Sequence, residues 1–193
     1  MNMVSGKTEQ SSLDLAAGNG FQSTMSNLLD KGADVHHRDG NSRTALDWAI
    51  LGKHNEIAII LMAYRDVEVD DQDCLGRTPL IWTAINGDDA MLRKVLERRV
   101  NVDVQDLQGR SALSLAAGNG CVEIVRTLVD HGANIGLRDA WGQTAWSVAD
   151  ILGHEEVADL VLDMRQQREE AEDTPGPSVE IVITIIDDDE FPL

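Results

Sequence analysis

The sequence predicts an all-α solenoid in which short helical hairpins stack side by side. One observation is an identical pentapeptide, Ala-Ala-Gly-Asn-Gly, which occupies residues 16–20 and again residues 116–120. A second is a set of aspartates that return every 33 or 34 residues, and a third is the helical spacing of apolar residues inside each period. Self-similarity at a fixed period of about 20 to 50 residues is typical of repeat proteins, whose units stack in one dimension.

The periodic positions define five copies of one unit. Asp39, Asp73, Asp106 and Asp139 are separated by 34, 33 and 33 residues, so the second copy holds one additional residue. A single apolar position is filled in every copy, by Leu13, Leu46, Leu80, Leu113 and Trp146. Because these residues keep one register along the chain, the copies are structural equivalents rather than chance matches.

Each unit is predicted to form two helices. In the fourth copy Ser111 can cap the first helix, Leu113 and Leu115 lie on its apolar side, and Gly120 ends it. A second amphipathic helix follows, with apolar residues at Val122, Ile124, Val125, Leu128 and Val129. A single hairpin cannot bury both of its apolar faces, so the units are expected to stack.

Two short motifs identify the unit. Gly-Arg-Thr-Pro-Leu at residues 76–80 and Gly-Ala-Asp-Val at residues 32–35, with the period of 33, resemble the ankyrin repeat family. The resemblance covers residues 10–166 and implies a helical-hairpin solenoid with β-turn tips. It divides this region into repeats at about 10–38, 39–72, 73–105, 106–138 and 139–166.

Some units depart from the pattern at glycine positions. Ser42, Lys53, Asp66 and Arg99 stand where other copies have glycine. If the backbone there needs a positive φ angle, each replacement is expected to cost on the order of 1 kcal/mol.

The resemblance also implies a partner-binding face, because such proteins usually bind partners on the concave side made by turn tips and first helices. Eight residues map there: Arg43, Arg77, Arg110, Leu75, Leu107, Trp141, Ile85 and Asn119. The three arginines hold one position in successive units, and a row of positive charge would attract an acidic segment. The alternative is that they are solvated turn residues and that the leucines pack on neighbouring turns. We expect three further tryptophans in the core, namely Trp48, Trp82 and Trp146.

Outside the repeats, residues 1–9 are expected to be flexible and residues 167–193 to form a mostly disordered acidic tail. The tail holds nine acidic residues and one basic residue. Within it, residues 179–186 are rich in β-branched side chains, which favours an extended conformation.

The tail segment and the acids after it resemble a SUMO-interacting motif. The matching residues are Val182, Ile183, Ile185, Ile186, Asp187, Asp188, Asp189 and Glu190. Such a peptide adds a strand to the edge of SUMO or another ubiquitin-like protein. The alternative is that the segment docks on this protein itself, with its acids against the arginines.

The charge and the cysteine content of the chain bear on its partners and its compartment. The net charge of -18 makes nucleic acid and membrane surfaces poor partners. The chain has no secretory signal pattern and only two cysteines, which favours the cytoplasm or nucleus. We find no signature of a catalytic, cofactor or metal site, and we expect the adjacent His36 and His37 to be surface residues. The prediction is a non-catalytic interaction adaptor; the alternative is a regulator or stoichiometric inhibitor of an enzyme.

Overall fold

The computed structural model describes residues 9–64 and 67–173, which fold into α-helices joined by tight turns. The ten helices of these residues are α1 (Ser12–Gly18), α2 (Gln22–Asp30), α3 (Ala45–Leu51), α4 (Asn55–Ala63), α5 (Pro79–Asn86), α6 (Asp89–Leu96), α7 (Ala112–Gly118), α8 (Val122–Asp130), α9 (Ala145–Ile151) and α10 (Glu155–Asp173). They pair in order as five hairpins, so the predicted helical-hairpin solenoid is confirmed.

A hydroxyl residue begins the first helix of every hairpin. In each case the side-chain oxygen accepts a hydrogen bond from the backbone N–H three residues later. The capping residues are Ser11, Thr44, Thr78, Ser111 and Thr144. Such a cap stabilises a helix by about 1 kcal/mol, which matters for helices of only seven or eight residues.

The helices form two layers with different spacing. The first helices of the hairpins, α1, α3, α5, α7 and α9, contact one another more extensively than the second helices do. Each first helix contributes a fully buried alanine, and these are Ala17, Ala49, Ala84, Ala117 and Ala149. Small side chains allow close helix approach, so the first helices form the more closely packed layer.

The repeated apolar position forms the core, with one exception. Leu13, Leu46, Leu80 and Leu113 are buried, but Trp146 is 37% exposed. The expectation that Trp146 lies in the core is therefore wrong. It belongs to the fifth hairpin, and no later hairpin covers it within the part of the chain that the structure describes.

The expected core tryptophans of the middle hairpins have different degrees of burial. Trp82 is buried, whereas Trp48 is only half-buried. Both lie on first helices and face the turns, so they are available to side chains at the turn tips.

The replaced glycines have the strained backbone that the sequence predicts. The φ angles are 59° at Ser42, 57° at Lys53 and 57° at Arg99. These are the left-handed values that glycine adopts without penalty and other L-residues avoid. The fourth replacement, Asp66, lies outside the described residues.

The last helix is the longest. Helix α10 has 19 residues and α8 has nine, because the sequence after residue 165 prolongs the final helix as far as Asp173. None of the described helices is long and apolar enough to cross a membrane. The predicted tail motif, residues 179–190, lies outside the described residues.

Candidate functional site

The four periodic aspartates lie in one row of turns, which we call the turn row. In every turn the aspartate Oδ1 accepts the backbone N–H groups of the residues two and four positions later, at 2.7–2.9 Å. Neighbouring turns are joined by backbone hydrogen bonds of 2.8–2.9 Å, which link Cys74 to Asn41, Leu107 to Leu75 and Ala140 to Gln108. The turn row is therefore continuous and internally hydrogen-bonded.

The arginines of the first and second turns of the row, Arg43 and Arg77, stack on tryptophans. The guanidinium carbon of Arg43 lies 5.2 Å from the ring centre of Trp48 and 5.4 Å from that of Trp82. That of Arg77 lies 4.7 Å from Trp82. We call these four residues the arginine–tryptophan stack. The side chain of Arg43 is only 19% exposed, so it is not a freely solvated turn residue.

Arg110 behaves differently from the other two. Its Nε and Nη2 atoms donate to Asp106 Oδ2 at 3.0 and 2.7 Å, so its charge is matched within its own turn. The sequence differs five residues further on. Arg43 and Arg77 are each followed there by a tryptophan, whereas Arg110 is followed by Leu115, which offers no aromatic face.

The aspartates reduce the positive charge of the row. Each of the three arginines lies in a turn that also contains a buried aspartate, and the fourth turn, with Asp139, has Gln143 at the arginine position. The turn row therefore acts through short-range contacts at individual guanidinium groups more than through a long-range positive field.

Large apolar side chains extend outward from the same turns. Leu75 is 41% exposed, Leu107 is 74% exposed and Trp141 is 66% exposed. Trp141 borders an open groove of about 250 Å³, together with Arg110, Leu115, Val148 and Leu152. Exposed aromatic and aliphatic residues beside arginine form the composition that protein interfaces favour.

The remaining two predicted residues lie at the far ends of the first helices. Asn119 is exposed, and its Nδ2 donates to the carbonyl of Ile85 at 3.3 Å. Asn86 makes the same bond to Ile50 one repeat earlier, at 2.7 Å. These asparagines therefore join successive hairpins.

The histidines have structural partners. His154 Nε2 lies 3.0 Å from the carbonyl oxygen of Gly118 in the neighbouring hairpin. His37 Nδ1 lies 2.9 Å from buried Asp14, so it is more than a surface residue, while His36 is exposed. Among the described residues, no group of three or more potential ligands is placed to hold a metal ion.

One buried carboxyl has an unusual environment. Asp47 Oδ2 accepts hydrogen bonds from the N–H and hydroxyl of Thr44, at 2.8 and 2.9 Å, but Oδ1 has no partner. Burial raises the pKa of Asp47 from 3.8 to about 7; the Thr44 bonds oppose the rise, and the negative charges of Asp73 and Asp71 add to it. This carboxyl faces the interior of the stack.

Sequence reasoning missed the arginine–tryptophan stack. The signal was present as a constant offset, because Arg43 precedes Trp48 by five residues and Arg77 precedes Trp82 by five. The two residue types were treated separately, one as surface charge and the other as core.

Comparison with known proteins agrees with this architecture. A family model described as ankyrin repeats, in three copies, matches residues 13–106 and 82–173. Rabankyrin-5 of mouse and Rabankyrin-5 of human are each 31% identical to this chain over 89 residues, which is 46% of this chain. The matched region spans 8% of the length of those relatives.

Proposed function

Because the chain belongs to the ankyrin repeat family, we propose that it is a protein-binding adaptor that holds a client protein on its concave face. Ankyrin repeats are protein-binding scaffolds and are typically non-catalytic, and here they account for residues 13–173. To this client the surface offers apolar contacts beside arginine.

The observation that carries this proposal is the exposure of Leu107 and Trp141 at the turn tips. Changing both to alanine should weaken client binding at least tenfold, because buried aromatic anchors dominate interface energies. A matched control is Ile59→Ala on the second-helix layer, where the side chain is 44% exposed. Equal losses from both surfaces would contradict a concave binding site.

The tail motif supports a second contact, with SUMO or another ubiquitin-like protein. Replacing Ile183, Ile185 and Ile186 with alanine should abolish modifier binding, because these side chains would fill the groove of the partner. The melting temperature should not change. A large loss of thermal stability would show instead that the segment packs on the repeats.

The alternative is a regulator or stoichiometric inhibitor of an enzyme, with the tail docked on the solenoid. An adaptor binds two partners at once, so both should elute together with the full chain in gel filtration. An inhibitor would suppress the turnover of one partner at equal concentration and would not need residues 174–193.

We also place the protein in a reducing compartment, the cytoplasm or nucleus, since Cys74 and Cys121 are both free thiols.

A further inference from the structure

We propose that the arginine–tryptophan stack is a receptor for the carboxylates of an acidic peptide segment, and that Arg43 and Arg77 bind them while Arg110 does not. This inference rests on the proposed scaffold function, because it names the chemical group that one part of the concave face recognises.

The stack holds both guanidinium groups in fixed positions. Arg43 lies between the rings of Trp48 and Trp82, and Arg77 lies over Trp82. A guanidinium that stacks on an aromatic face keeps its N–H edge in the plane that a carboxylate needs for two parallel hydrogen bonds. Because the side chain is ordered before binding, a ligand loses less conformational entropy when it binds.

The hydrogen bonding of the stack is incomplete. Within the described chain, neither Arg43 Nε nor Arg77 Nε has a hydrogen-bond acceptor, although both atoms are buried. The carboxylate nearest to Arg43 is Asp73, whose Oδ2 lies 3.9 Å from Nε, beyond hydrogen-bond distance. Buried donors without acceptors are rare and costly, so an added acceptor beside them would be favourable.

The second repeat has a tryptophan–aspartate hydrogen bond that the third repeat lacks. There the indole Nε1 of Trp48 donates to Asp39 Oδ2 at 3.2 Å. In the equivalent pair one repeat later, Trp82 Nε1 and Asp73 Oδ2 are both without a partner. In the third repeat, where Trp82 has an arginine stacked on it from each of two turns, the indole and the aspartate therefore stay without a partner beside the two unpaired arginine Nε atoms.

The distance between the two arginines determines how far apart the carboxylates of the ligand should be. Packed helices lie about 8 to 10 Å apart, and the two arginines are one repeat apart. A peptide in the polyproline II conformation has three residues per turn and advances about 3.1 Å per residue, so acids three residues apart lie on one side of it and match this spacing. The acids of the chain's own tail include such a pair, Asp187 and Glu190, and an acidic client segment offers the same chemistry.

The test uses the full chain and a synthetic peptide with two glutamates three residues apart in a glycine-serine background. Fluorescence anisotropy should show binding of this peptide, and a peptide with glutamines in their place should bind at least tenfold more weakly. Arg77→Lys should weaken binding about tenfold, because lysine keeps the charge but loses the planar, stacked donor edge. The matched control, Arg110→Lys, should change it less than twofold.

Three results would overturn the receptor: equal binding of the glutamine peptide, an equal loss from Arg77→Lys and Arg110→Lys, or no loss from Arg77→Lys. Quenching of tryptophan fluorescence by the peptide in the unmodified chain provides a readout that does not depend on a variant folding. If Arg77→Lys has no effect while the Leu107 and Trp141 replacements still abolish client binding, the receptor fails and the scaffold function stands.

A tail variant distinguishes the two sources of carboxylate. In it Asp187, Asp188 and Asp189 become asparagine and Glu190 becomes glutamine. Tighter peptide binding by this variant identifies the tail as the resident ligand of the receptor. Unchanged binding shows that the tail does not occupy the receptor, so the carboxylates would come from a partner.

Discussion

Replacing Asp47 with asparagine should stabilise the protein at neutral and alkaline pH. The carboxyl is buried, and its pKa is about 7, against 3.8 for an ordinary aspartate. Between these values the folded state keeps a proton that the unfolded state releases, so the contribution of Asp47 to stability falls as pH rises. The contribution of Asp47 to stability is most favourable below pH 3.8 and is fully lost above pH 7.

The difference between the two pKa values corresponds to roughly 4 kcal/mol at 1.36 kcal/mol per pKa unit. This is an upper bound for the increase in the free energy of unfolding that Asp47→Asn produces. Asparagine has the same shape and keeps an oxygen for the two Thr44 hydrogen bonds, but it carries no charge beside Asp71 and Asp73. The free energy of unfolding should be measured by urea titration of both proteins at pH 5, 6, 7 and 8.

The advantage of Asp47→Asn should grow from pH 5 to pH 7 and level off toward pH 8. Because both proteins share every other titrating group, the difference between them isolates this carboxyl. Asp14→Asn is the matched control at the equivalent position of the first repeat, where His37 bonds the carboxylate, and it should lower stability. A pH-independent difference between Asp47→Asn and the natural chain would refute the reasoning.

Three further predictions concern the repeat fold and can be checked by thermal and chemical unfolding. Lys53→Gly should raise stability by about 0.5 to 1 kcal/mol, because φ is 57° there; a loss of stability would contradict the strain. Gly120→Ala should lower stability by more than 1 kcal/mol, because φ is 69° and an added Cβ would lie 2.7 Å from the ring of His154; a neutral result would contradict it. Leu113→Ala should cost about 2 to 5 kcal/mol as a buried leucine of the middle of the stack; a loss below 1 kcal/mol would show that the stack is loosely packed.

The repeat architecture was predictable because a period is a property of the sequence itself. Aspartates 33 residues apart had to lie in equivalent turns once the hairpins stacked, and the hydrogen bonds of Asp73 and Asp106 confirm that arrangement. The strained backbone at Ser42 and Arg99 was also predictable, since both stand at positions where other copies have glycine.

The side-chain partners of the turn row were not predicted, because they depend on neighbours in space. Arg77 and Arg110 hold the same repeat position, yet one stacks on Trp82 and the other binds the aspartate of its own turn. The position of Trp146 was missed for a related reason. An apolar residue of the repeat pattern is buried only where a further unit covers it.

Site-specific photocrosslinking tests the central claim, that clients bind the concave face, most directly. A photoreactive amino acid is placed at Leu107 on the turn row in one full-length variant and at Ile59 on the second-helix layer in another. Our account predicts that irradiation in cells attaches a partner protein at position 107 and leaves position 59 unmodified. Crosslinks that form at position 59, with none at position 107, would contradict it.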